Sequence, residues 1–195
     1  MNQSICDHYT AILNTELITA LGCTEPIAIA YAGATVRKVL GTMPDRCVTA
    51  CSGNIIKNVK GVTVPNSGGM KGIDTAAVLG IVGGNPEKVL AVLEDVTAEQ
   101  IEQTKRLTAS GFCRCELVEG VENLYIVITA CKGSDWAQVE IRNFHSNITK
   151  NHKKRPHPLC ISKAGRHFLP GTVPVSGQIA SERQRYPGLC RIGGA

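Results

Sequence analysis

The sequence predicts an α+β fold, in which N-terminal helices and a mixed or antiparallel sheet form one layered domain, with an irregular C-terminal tail. Apolar residues recur with a helical period in the first part of the chain. Three segments between residues 112 and 144 have the composition of β-strands. After Lys150 neither period is sustained. We therefore predict a domain over residues 1–150 and a separate tail over 151–195.

The first two helices follow from apolar spacing and from the residues at their ends. Residues 6–21 are predicted as an amphipathic helix because their apolar side chains recur at helical intervals, and Gly22 ends it. A second helix is predicted over 24–40, because Thr24 is a favourable N-cap and Glu25 and Pro26 suit a first turn. Its apolar residues lie nearly all round the helix, so we expect it to be buried.

The middle of the chain combines one strand, a polar segment and further helices. Residues 47–52 are predicted as a strand, and 52–72 as a polar loop that could include a short strand at 62–64. Thr97 and Gln100 have the spacing of a capping box, which marks a helix start. Three helices are predicted in this part of the chain, at residues 73–82, 86–95 and 97–110.

Three β-strands complete the domain, and turn sequences separate them. Residues 132–135 (KGSD) form the clearest of these turns. We expect the strands to follow one another as a meander, at residues 112–118, 124–131 and 136–144.

The tail differs from the domain in charge. Residues 1–150 carry 13 Lys and Arg against 15 Asp and Glu, whereas residues 151–195 carry 8 against one. A basic segment can bind nucleic acid through phosphates, but this one lacks interleaved aromatic residues. We favour a frameshift near Lys150, which would leave the tail outside the native fold. A zinc cluster is a weaker alternative, because no known spacing matches its candidate ligands, His152, His157, Cys160 and His167.

Composition also bears on location and on the nine cysteines. No apolar run approaches the length of a transmembrane helix, and the N-terminus lacks the features of a signal peptide, so we expect a cytoplasmic protein. Cys113 and Cys115 would share one face of a strand, which favours packing over metal ligation. We expect a place in the core for four more, Cys6, Cys47, Cys51 and Cys131.

Cys23 is the strongest candidate for chemistry because it stands just before a predicted helix N-terminus. The helix dipole and free backbone N–H groups stabilise a thiolate there and lower its pKa. A thiolate suits a base, a nucleophile or a metal ligand. Glu25 would act in the opposite direction if its carboxylate lay close. These local features leave a functional thiol and an inert one as equal alternatives.

A second candidate site is the polar segment at 52–72. Asn54, Lys57 and Asn58 could hold a small anion or a carboxylate through amides and one ammonium group. An ordinary surface loop is the alternative. Neither a P-loop nor the GxGxxG fingerprint of a dinucleotide site occurs. His145 is a lone histidine, for which a structural role is favoured.

Four blocks of this sequence together resemble one family, in the same order and spacing. The blocks are ALGCTEPIAIAYA (20–32), SGNIIKNVKGVTVPNSGGMKG (52–72), AAVLGIVGGNPEKVLAVLED (76–95) and FHSNITK (144–150). With them the chain resembles the N-terminal half of the L-cysteine desulfidases, a family related to the alpha chain of iron–sulfur L-serine dehydratases. The resemblance extends from about Tyr9 to Lys150.

The resemblance implies a β-elimination without pyridoxal phosphate. In that family L-cysteine loses sulfide, and the resulting aminoacrylate hydrolyses to pyruvate and ammonia. A [4Fe–4S] cluster binds the substrate and acts as a Lewis acid toward the leaving group. By position, Cys23 is the expected catalytic cysteine, and Asn54, Lys57 and Asn58 are expected to bind the amino acid, L-cysteine or L-serine.

The sequence departs from the family in the residues that hold the cluster. Those cysteines lie in the second half of family members, and Cys160 and Cys190 are too few to replace them. We therefore expect a truncated relative that alone neither assembles the cluster nor turns over cysteine. One alternative is a split lyase whose cluster half is a separate chain, with homo-oligomerisation also open. The other is a non-catalytic module whose tail contacts nucleic acid or a partner.

Overall fold

The computed structural model describes residues 2–17 and 20–154 and has the predicted α+β class. Five strands form one mixed sheet in the order β2–β1–β3–β4–β5. Every helix within these residues is too short or too polar to cross a membrane. The elements are α1 (Gln3–Glu16), α2 (Thr24–Leu40), β1 (Arg46–Ser52), α3 (Gly53–Val59), α4 (Ile73–Gly83), a 3₁₀ helix (Pro86–Ala91), α5 (Ala98–Ala109), β2 (Cys113–Val118), β3 (Tyr125–Lys132), β4 (Asp135–Arg142) and β5 (Ile148–Lys154).

Helix α1 is amphipathic, but it is shorter than predicted and lies at the surface. Asn2 caps it by accepting a hydrogen bond from the backbone of Ser4, and Leu17 leaves the helical region with ψ at 96°. The prediction of a helix as far as residue 21 was therefore wrong. Cys6 is only partly buried on this helix, which corrects its expected place in the core. The apolar side chains exposed here are those of Ile5, Tyr9, Ile12, Leu13 and Leu17.

Helix α2 has the predicted bounds and is buried along most of its length. It packs against α4 and against strands β3 and β4. The two helices approach closely because glycines face their backbones. A Cβ atom at Gly33 would lie 2.6 Å from the carbonyl oxygen of Ala77, and one at Gly80 would overlap the carbonyl oxygen of Ala30. No larger side chain fits at either position without separating the helices.

The sheet differs from the predicted meander in where β1 lies. Strand β1 pairs in parallel with β2 and antiparallel with β3, so β2 and β3 are not neighbours. The β3–β4–β5 part is antiparallel and sequential. Local turn sequences could not indicate that a strand from far along the chain separates β2 from β3. The buried cysteines of this sheet, as expected, are Cys47, Cys51 and Cys131.

Strand β5 was missed because its sequence, ITKNHKK, is too polar to indicate a strand. It runs four residues past the change of composition at Lys150 and pairs with β4. His152 lies on this strand. The rest of the tail, including His157, Cys160 and His167 of the zinc alternative, lies outside the described residues.

Of two further helices predicted from local sequence signals, one has the predicted form and the other does not. The capping box of α5 is present, with Thr97 and Gln100 each accepting from the other's backbone. The helix predicted over 86–95 is instead a short 3₁₀ helix, because Val89 adopts a positive φ of 47° that interrupts it. The segment predicted at 62–64 contributes only an isolated bridge between Thr63 and Lys71.

Candidate functional site

Cys23 lies at the start of α2, as the sequence predicts, and its side chain is exposed. The residue itself is the N-cap, one position before the cap expected at Thr24. Its side chain makes no capping hydrogen bond with the first turn of the helix. The thiol donates instead to Oε2 of Glu25, over 3.2 Å. Cys23 is therefore paired with a carboxylate rather than with a cation.

Glu25 is the centre of a small hydrogen-bonded array. Its Oε2 accepts from the thiol of Cys23 and, over 3.4 Å, from the hydroxyl of Thr24. Its Oε1 accepts from the side-chain amide of Asn58 over 3.2 Å. Asn58 comes from α3, so the array joins the ends of two helices through residues that are 33 positions apart in sequence.

The array raises the pKa of the Cys23 thiol above its usual value. Burial is the largest cause, and the hydrogen bond to Glu25 is the next. The backbone N–H of Glu25 lowers the pKa, as expected at a helix N-terminus, but its effect is smaller. The expectation of a stabilised thiolate was therefore wrong, and the opposing effect of Glu25 prevails. The thiol is protonated at neutral pH.

The pKa of Glu25 shifts in the opposite direction. Burial raises it, but the hydrogen bonds from Cys23, from its own backbone and from Asn58 together outweigh burial. The charge of His145 lowers it further. Glu25 is therefore ionised at neutral pH, beside a protonated thiol. The two groups supply one proton donor and one proton acceptor at a single point.

The other predicted residues share α3, which corrects the expected polar loop at 52–72. Ser52 caps this helix by accepting from the backbone of Ile55, and its hydroxyl donates to the carbonyl oxygen of Asn123 over 2.6 Å. Asn54 and Lys57 are exposed, and Asn58 is half-buried. Residues three and four apart lie on one helix face, so the three share a face. The sequence signal for α3 was the serine cap before apolar residues at helical spacing.

His145 lies in the turn between β4 and β5, and its charge lowers the pKa of Glu25. Its Nε2 atom is buried, and none of the described residues hydrogen-bonds to it. The sequence prediction of a purely structural role missed the link to Glu25. Its place in the FHSNITK block was the available signal.

The described residues do not fit an iron–sulfur cluster. Within them, no group of three or more His, Cys, Asp or Glu side chains is placed to hold a metal ion. Cys23 itself is hydrogen-bonded to a carboxylate. An iron–sulfur cluster is held by three or four thiolates, so the described residues around Cys23 offer no ligand set for one.

Comparison with known proteins finds relatives that match about three quarters of the chain. It is 49% identical over 142 residues to a UPF0597 protein of Lachnoclostridium phytofermentans, covering 73% of this chain and 34% of the relative. A UPF0597 protein of Finegoldia magna is 51% identical over 144 residues, with the same two shares. One from Treponema denticola is 44% identical over 148 residues, covering 76% of this chain and 34% of the relative.

These matches cover most of this chain but only a part of each relative. No family model matches the chain, and no solved structure matches it. The chain spans about a third of the length of the curated relatives it matches. What the comparisons establish is similarity to one part of the UPF0597 proteins.

Proposed function

We propose that this chain carries the amino-acid-binding and proton-transferring part of a lyase that eliminates sulfide from L-cysteine, as in the L-cysteine desulfidases it resembles. The observation that carries the proposal is the array of Cys23, Glu25 and Asn58. It combines a protonated thiol and an ionised carboxylate at the exposed end of a buried helix. L-Serine is the closest alternative substrate.

The proton transfers of a β-elimination match these two groups. The reaction removes a proton from Cα and adds one to the departing sulfur. In the proposed role, the carboxylate of Glu25 accepts the first proton, and the thiol of Cys23 donates the second. The aminoacrylate that forms then hydrolyses to pyruvate and ammonia.

Substrate binding is assigned to the exposed face of α3. L-Cysteine at neutral pH carries a carboxylate and an ammonium group. The ammonium of Lys57 and the amide of Asn54 suit the carboxylate, because both are exposed and both can donate hydrogen bonds. Asn58 keeps Glu25 oriented toward Cys23.

The cluster of the resembled family would supply Lewis-acid assistance to the leaving group. Because the described residues offer no ligand set for it, we assign its ligands to a separate chain or a further segment. We therefore expect this chain alone neither to assemble a [4Fe–4S] cluster nor to turn over L-cysteine. A cytoplasmic location is part of the same proposal, as is binding to a second copy or to a cluster-bearing chain.

Calorimetric titration of the full chain with L-cysteine tests the proposal, under anaerobic and reducing conditions. We expect binding that Lys57→Met weakens by about tenfold, because a charge-assisted hydrogen bond is lost. Lys105→Met is the matched control, since Lys105 is an exposed lysine on a different helix, α5. 3-Mercaptopropionate, which lacks the ammonium group, should bind more weakly than L-cysteine.

Two results would contradict the assignment of the site. One is equal affinity in the Lys57 and Lys105 variants, and the other is no heat of binding with any amino acid. A separate measurement tests the cluster. Anaerobic reconstitution of the chain with iron and sulfide should give no stable visible absorption and no sulfide release, and the opposite result would disprove the assignment of its ligands.

A further inference from the structure

A group of thiols lies on one face of the β1–β2 edge of the sheet, formed by residues other than those of the Cys23 site. In the parallel register, Cys47 pairs with Cys113, and Thr49 pairs with Cys115. Cys51 lies two residues further along β1. Because side chains alternate along a strand, all four cysteines point to the same face.

Three of these thiols are close neighbours. The side chain of Cys113 lies within hydrogen-bonding reach of Cys115 on one side and of Cys47 on the other, and its thiol also lies 3.9 Å from the carbonyl oxygen of Arg114. The hydroxyl of Thr49 lies 3.4 Å from the sulfur of Cys113. Cys115 is exposed, Cys113 is half-buried, and Cys47 is buried. The three thiols therefore form a row that leads from solvent into the core.

The backbone geometry favours one final disulfide over the other. Paired residues on neighbouring strands lie roughly 4.8 Å apart, and disulfides join Cα atoms separated by about 4.4–6.8 Å. Cys47 and Cys113 are such a pair. Cys113 and Cys115 are two residues apart on one strand, a spacing of roughly 6.6 Å at the upper end of that range. A bond between them is feasible but more strained.

We propose that Cys115, Cys113 and Cys47 form a thiol relay that is oxidised by small-molecule disulfides and ends in a Cys47–Cys113 disulfide. Cys115 attacks the small disulfide, forming a mixed disulfide and releasing one small thiol. Cys113 then attacks the sulfur of Cys115 and releases the second small thiol. Cys47 attacks Cys113 in turn and regenerates the free thiol of Cys115. Two protein thiols are oxidised and one small disulfide is reduced to two thiols.

The thiols of Cys113 and Cys115 are protonated at rest. The hydrogen bond to Cys113 and then burial raise the pKa of Cys115. The bond from Cys115 lowers the pKa of Cys113, but the bond to Cys47 and burial outweigh it and raise the pKa. Because the thiolate is the attacking species, oxidation should accelerate as pH rises.

Disulfide mapping of the full, reduced chain tests the relay, with glutathione disulfide as the oxidant at about pH 8. Mass spectrometry of digested samples over time should show the Cys47–Cys113 bond. Cys115→Ser should slow its appearance by about tenfold or more, because the exposed entry thiol is lost. Cys47→Ser, or Cys47→Ala if the serine variant is unstable, should stop the reaction at a Cys113–Cys115 bond.

Cys51→Ser is the matched control. Cys51 is buried on β1, on the same face as Cys47, but the residue paired with it on β2 is Leu117 rather than a cysteine. The rate should be unchanged in this variant. The relay is wrong if Cys115→Ser leaves the rate unaltered, if Cys115 remains a mixed disulfide in the unmodified chain, or if Cys51→Ser slows the reaction as strongly as Cys115→Ser does.

Discussion

The body of α2 and its N-terminal end are built in opposite ways. The body is held by close backbone packing. Gly33 on α2 and Gly80 on α4 have no side chains, so the backbones of the two helices approach closely. The N-terminal end is held by polar groups instead. There Glu25 accepts hydrogen bonds from the side chains of Cys23, Thr24 and Asn58. One part of the helix is constrained by packing and the other by hydrogen bonds.

The difference shows where this fold tolerates change. In the body, an added methyl group meets backbone atoms that cannot move without separating two helices. At the N-terminal end, side chains meet other side chains and solvent, so a substitution changes charge and protonation before it changes packing. Stability should therefore depend on the body, and thiol chemistry on the end.

The largest effect is expected from Gly80→Ala on α4, at the contact with the body of α2. The added Cβ overlaps the carbonyl oxygen of Ala30, so the free energy of unfolding should fall by about 3 kcal/mol or more. Chemical denaturation monitored by circular dichroism measures it. Gly61→Ala is the control, because nothing lies within 4 Å of its added Cβ, and it should change stability by less than about 0.5 kcal/mol. Similar losses in both variants would contradict the packing account.

A smaller effect is expected at the N-terminal end from Glu25→Gln. Removing the carboxylate charge should lower the pKa of Cys23, because the bond to Glu25 and its charge now raise it. Alkylation of Cys23 by iodoacetamide at about pH 8 should become severalfold faster, as followed by mass spectrometry of the Cys23 peptide. Glu99→Gln is the control, since Glu99 occupies the first turn of α5. An unchanged or slower rate in Glu25→Gln would contradict the claim that Glu25 controls the protonation of Cys23.

The smallest effect is a pH dependence of stability due to Glu25. Folding lowers the pKa of this carboxylate below its usual value of 4.5, so its ionised form stabilises the folded state above that value. The contribution should disappear as pH falls through the lower pKa of the folded state. It should be less than about 1 kcal/mol, because the group is partly exposed. Urea unfolding of wild type and Glu25→Gln at several pH values measures it, and a constant difference below pH 4.5 would contradict it.

The sequence predicted those elements whose signals are local. The bounds of α2 follow from Glu25 and Pro26 at its start and a glycine after its end, and α5 follows from its capping box. The central place of β1 could not be predicted in this way. It depends on pairing between residues as far apart in the chain as Arg46 and Cys131.

The candidate site was predicted as a set of residues but not as a chemical state. Cys23, Asn54, Lys57 and Asn58 were named from the sequence, and the structure joins Cys23 to Asn58 through Glu25. The direction of the Cys23 pKa shift depends on which way the Glu25 side chain turns. No local pattern encodes that orientation, because the amide that holds Glu25 comes from a different helix.

The central place of β1 also has a consequence for the order of folding. Strands β3, β4 and β5 are joined by short connections, so they can form as hairpins on the microsecond scale. Strand β1 must close long loops to reach both of its partners, and loop closure costs entropy before any contact is gained. Its insertion should therefore be a late step that limits the folding rate. Until then the inner edge of β3 lacks its neighbour, which makes that edge the point where a nascent chain is most exposed to mispairing.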